Sequence, residues 1–80
     1  MSAIEKYKKV FIESLSIEPN AFSEEIKYND VPEWDSIGHM TLMSALEDGF
    51  EITLETDDII DFSSYKKGIE LLGSKYEIIF

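Results

Sequence analysis

The sequence has no cysteine, one histidine, and no run of apolar residues of the roughly 18 needed to cross a membrane. Without cysteine there is no disulfide and no thiolate metal site, so any thiol chemistry requires an added group. His39 alone cannot build a zinc site. Basic side chains are scarce, seven against seventeen acids, for a net charge of −10. Such a surface repels nucleic acid and anionic membranes and steers toward basic protein surfaces. The opening residues Met1 to Lys6 lack the basic-then-apolar pattern of a secretory signal, so a cytoplasmic protein without a membrane span is expected.

Eighty residues with 44% hydrophobic content allow one small domain over residues 1–80, stabilised by apolar packing. There is no internal repeat or low-complexity tract. Ile4, Tyr7, Val10, Phe11 and Leu15 recur at helical spacing, Ser2 and Glu5 resemble a capping box, and Pro19 closes the segment. A helix over 2–16 is predicted. Residues 17–35 hold turn-formers around Pro19, Asn29 and Pro32 and read as a long loop, pinned by Ala21, Phe22, Ile26, Tyr28 and Val31.

The helical period returns after Asp35, a good N-cap. Ile37, Met40, Met43, Leu46 and Phe50 share a face, with Gly49 as a stop or a close-packing point. Residues 51–55 alternate polar and apolar, but a strand without a partner is unstable, so an extended connection anchored by Ile52 or Leu54 is expected. Thr56 reads as the N-cap of a short helix with Asp57 and Asp58 in its first turn. Ser63 or Ser64 caps a last helix that Gly73 ends, and an apolar tail fills 74–80. The fold class is all-α: four helices, the third short, with a long loop after the first and a core over about 3–72.

Ser36 is the candidate site. A serine at a capped helix start after a long loop is open to a modifying enzyme, and the free first-turn amides favour an anionic group there. Ser36, His39 and Asp35 lie close together, but nothing supplies an oxyanion hole or substrate cleft, so a hydrolase does not follow. The acidic stretch from Glu47 to Asp58 lacks the ligand spacing of a calcium loop.

Residues 35–62, beginning Asp35-Ser36-Ile37, resemble the second-helix region of the acyl carrier protein family. Leu42 to Phe50 repeats that family's apolar-and-acidic pattern, and the Thr56-Asp57-Asp58 and Ser63-Ser64-Tyr65 segments also match. With the first helix and long loop, the likeness covers about 3–72. It implies a four-helix bundle and 4′-phosphopantetheine joined to Ser36, with Asp35 as the helix cap and Ile37 beside the site. It further implies a non-catalytic, monomeric carrier that holds an acyl group as a thioester.

The partners so implied are a phosphopantetheinyl transferase, a loading ligase or acyltransferase, and biosynthetic enzymes with basic docking patches. Met40, Glu47, Asp48, Glu51, Asp57, Asp58 and Asp61 would face them. By the same analogy an acyl chain enters between the second and third helices, lined by Leu46, Leu54, Ile59 and Phe62, with Tyr28 and Tyr65 nearby. The bulk of Phe62 and Tyr65 points to a short or polar cargo. A peptidyl or aminoacyl carrier, or an acidic interaction module without a prosthetic group, are the alternatives.

Glu33-Trp34, Gly38-His39 and Thr41 depart from fatty-acid-synthesis carriers. They are closer to carriers of specialised pathways such as polysaccharide or secondary-metabolite synthesis. Gly38 lowers helix propensity by about 1 kcal/mol, which either a close approach or simple tolerance explains. His39 is expected as an exposed helix residue.

Overall fold

The computed structural model describes residues 2–80, which form helices α1 (Ala3–Leu15), α2 (Ser36–Phe50), α3 (Thr56–Asp61) and α4 (Tyr65–Lys75). One 3-10 turn, Pro19–Ala21, lies in the long first loop. Among the described residues there is no strand, only an isolated bridge between Lys27 and Ser64. No described helix is long and apolar enough to cross a membrane.

The capping box at the start of α1 forms as expected. Ser2 Oγ accepts from the Glu5 amide at 3.3 Å, and the Ser2 amide donates to Glu5 Oε1 at 3.4 Å. The helix ends through Ser16 in the left-handed region (φ 54°), and Ile17 N donates back to Ile12 O. This closure satisfies a carbonyl that the helix itself leaves free. Helix α2 ends likewise, with Glu51 at φ 55° and Ile52 N donating to Glu47 O. Gly49 is therefore not the stop. It is where α2 meets Val10 of α1, whose Cγ2 would lie 3.4 Å from an added Cβ. Gly73 is not a stop either, since α4 runs on to Lys75.

Helix α1 lies along α2 and buries Tyr7, Phe11 and Leu15. Across the core stand Leu42, Met43 and Leu46 of α2, then Phe62, Tyr65, Leu71 and Leu72. Tyr7 is central. Its hydroxyl donates to the Tyr65 carbonyl at 2.7 Å, and its ring meets Phe11, Tyr65 and Phe80. Burial raises its phenol pKa, so the ring stays neutral where no water could solvate a charge. Helix α4 approaches so closely at Gly68 that an added Cβ would lie 2.2 Å from Tyr7 Oη and 2.3 Å from Phe62 Cζ.

The stripe expected on α2 is corrected at its start. Leu42, Met43 and Leu46 are buried, but Ile37 and Met40 face solvent at 78% and 55% exposure. The loop anchor also differs: Trp34 is fully buried and Ile26 joins it, whereas Ala21 and Tyr28 are exposed. The connection expected over 51–55 begins one residue later, since Glu51 is left-handed; residues 52–55 are neither helix nor strand, and Leu54 is buried as expected. The tail turns back on the bundle. Phe80 sits 5.3 Å from the Tyr7 ring and 6.3 Å from that of Phe50.

Candidate functional site

Asp35 caps α2 with an extended backbone, its Oδ1 accepting from the Gly38 amide at 2.9 Å. Its own carbonyl receives the His39 amide at 2.7 Å. Ser36 is the first helical residue, so its amide and that of Ile37 have no intrahelical partner and face outward with the positive end of the helix dipole. The Ser36 side chain is exposed, and its Oγ shares a hydrogen bond of 3.3 Å with Tyr28 Oη.

Gly38 has a local reason. A Cβ there would lie 1.9 Å from the Glu33 carbonyl oxygen. The approach that excludes a side chain therefore comes from the loop itself, which packs on the first turn of α2.

Beside Ser36 lies an apolar groove of about 390 Å³. It is lined by Tyr28 of the loop, His39 and Met40 of α2, Ile59 and Ile60 of α3, and Phe62 and Ser63 just after α3. Ile59 and Phe62 were expected to line an acyl pocket, and they do line this groove. Leu46 and Leu54 do not; both are buried in the packed interior. Tyr65 is likewise in the core, against Tyr7 and Phe22.

His39 is not a free surface residue. Trp34 Nε1 donates to its Nδ1 at 2.9 Å, while Nε2 lies 2.7 Å from the Ile59 carbonyl.

The acidic side chains are not all exposed. Asp48, Glu51, Asp57 and Asp61 are exposed, and Glu47 is half-buried, accepting from the Leu54 amide at 2.8 Å. Asp58 is a correction: it is 2% exposed and cannot present its charge to a partner. Its oxygens accept from Lys75 Nζ at 2.7 Å and Tyr76 Oη at 2.5 Å. Those two hydrogen bonds hold the carboxyl below the usual range, against the opposing effect of burial. Tyr76 Oη also receives the Glu55 amide at 3.0 Å. That amide bond matters because Glu55, not Thr56, is the N-cap of α3, and its side chain makes no cap. Sequence reasoning missed this cluster because its members stand about twenty residues apart.

The charge is unevenly placed along the chain. Residues 28–65 hold ten carboxylates and no lysine, while the rest holds seven of each. Yet Ser36 to Leu46 contains no acid and no lysine, so the turns of α2 nearest Ser36 are neutral and apolar. Ile37 and Met40 are the large exposed apolar side chains of those turns, and Ile60 of α3 is exposed at 72%.

The chain is similar to an acyl carrier protein. It is 24% identical over 74 residues to the acyl carrier protein of Petrotoga mobilis, covering 92% of this chain and 87% of that protein. No family model matches.

Proposed function

We propose that the protein is an acyl carrier whose Ser36 receives 4′-phosphopantetheine from coenzyme A through a phosphopantetheinyl transferase. The observation that carries this reading is the exposed Ser36 hydroxyl on the first residue of an Asp35-capped helix, beside an apolar groove. The residues suit such a group. Ser36 Oγ would hold it, the Ser36 and Ile37 amides would face its phosphodiester, and Tyr28 Oη is within reach of the same oxygen. When attached, the group supplies the thiol that this chain lacks and holds an acyl or aminoacyl cargo as a thioester.

Recognition by partners then has two parts. Ile37, Met40 and Ile60 offer an apolar contact next to Ser36, and Glu47, Asp48, Glu51, Asp57 and Asp61 offer charge to basic patches on the loading and downstream enzymes. Charge of this kind speeds encounter and is weakened by salt. The cargo is short or polar, the pathway is specialised rather than bulk fatty acid synthesis, and the carrier works in the cytoplasm. The neutral first turns of α2 are what support the specialised pathway.

The test is intact mass after incubation with coenzyme A, magnesium and a promiscuous transferase. Wild type is expected to gain one phosphopantetheine and Ser36→Ala none. No gain in wild type overturns the reading and leaves an acidic interaction module, with Ile37, Met40 and Ile60 as its contact.

A further inference from the structure

We propose that His39 determines which cargo this chain can shelter, by bolting α2 to α3 and closing the way from the outer groove to the interior. This rests on the carrier reading above.

The tautomer of His39 follows from its neighbours. An indole N–H can only donate, so Nδ1, which receives Trp34 Nε1 at 2.9 Å, carries no proton. The proton is on Nε2, which therefore donates to the Ile59 carbonyl at 2.7 Å. That carbonyl lies in the last turn of a six-residue helix, where no intrahelical partner exists, so His39 completes the end of α3 from outside. The ring is also fixed in plane. It stacks on Trp34 at 19° and 6.1 Å, and meets Tyr28 and Phe62 edge-on at 5.5 and 6.2 Å.

The ring thus stands between the outer groove and the packed core. Outside it is the groove, whose lining includes the exposed Met40 and Ile60. Behind it is Trp34, on which the ring stacks and which is 0% exposed. An acyl chain moving inward has to displace the imidazole, which would strip Trp34 Nε1 and the Ile59 carbonyl of their partners together. Two lost hydrogen bonds and a displaced aromatic stack oppose that movement. A chain of a few carbons has no need to move in, because the outer groove accommodates it.

The test loads the Ser36-attached arm with butyryl, octanoyl and decanoyl groups, in wild type and His39→Ala. Methyl chemical shifts and thioester cleavage by hydroxylamine are followed. In wild type, Met40 and Ile60 methyls shift while those of Leu46 and Leu54 stay, and cleavage rates are the same for all three lengths. In His39→Ala, octanoyl and decanoyl groups shift Leu46 and Leu54, and their cleavage slows at least threefold relative to butyryl.

Wild type that shifts Leu46 and Leu54 with octanoyl overturns the proposal, as does a His39→Ala protein with no dependence on chain length. His39→Asn, smaller than histidine but still polar, serves the same comparison if the alanine variant does not fold. Arm attachment is measured by mass beforehand, so failure of the carrier reading appears as a missing mass gain. Failure of the His39 proposal appears as normal loading with the wrong length dependence.

Discussion

Helices α1 and α3 are both held at their ends, but by different means. Helix α1 is closed by its own neighbours: Ser2 and Glu5 at one end, Ser16 and Ile17 at the other. It then buries three large side chains along thirteen residues. Helix α3 has six residues, no side-chain N-cap, and little length over which to gain from propagation. What holds it comes from elsewhere. Lys75 and Tyr76 grip Asp58, Tyr76 takes the Glu55 amide, and His39 takes the Ile59 carbonyl. One helix is a foundation, while the other is a wall propped from both sides. The groove beside Ser36 has the propped helix as one of its walls, so its shape depends on α2 and α4 as much as on α3.

The comparison breaks most severely at Tyr7. Tyr7→Ala removes a fully buried ring and is expected to cost about 4 kcal/mol. A domain of this size has only about 3–5 kcal/mol in hand, so urea titration should find the chain largely unfolded, α3 included.

Asp58→Ala should act locally. Loss of the charge-assisted hydrogen bonds costs about 2 kcal/mol, and hydrogen exchange should show it in α3 amides while α1 keeps its protection. Acid should do the same to wild type. The folded Asp58 carboxyl titrates below its unfolded value, so its contribution is complete above about pH 4 and lost as pH falls through and below that value. Asp58→Asn should remove this step from the α3 response. Equal loss in α1 and α3 would end the distinction.

The smallest effect is expected at Ser2. Ser2→Ala removes one cap at about 1 kcal/mol, and faster exchange should be confined to the first turn of α1.

The same contrast explains how much was legible in the sequence. Helices α1 and α2 announce themselves because their periods, caps and turn residues lie within a few positions of one another. Asp35 before Ser36 is of that kind, and so the candidate site was legible. Helix α3 was legible only as a short helix, since Thr56 is a plausible cap that the chain does not use. Nothing near Asp58 in sequence says that Tyr76 will take its charge out of solvent.

Trp34 and His39 were misjudged for a related reason. Each looked like a departure in a surface motif, yet their hydrogen bond joins the loop to α2 and, through Ile59, to α3. Ile37 and Met40 fit the apolar period of α2, but the first turn of a helix at the edge of a bundle overhangs its core.

The double engagement of His39 also bears on what happens to a reactive molecule lying in the groove. An activated acyl group is an electrophile, and it survives only where no nearby nucleophile is free. Among the residues that line the groove there is no amine and no thiol. Both imidazole nitrogens are occupied, the Tyr28 hydroxyl is shared with Ser36, and Ser63 brings only a hydroxyl with no base on it. On the proposed carrier role, the groove would therefore be chemically quiet toward a thioester, which would keep its energy for the enzyme that collects it.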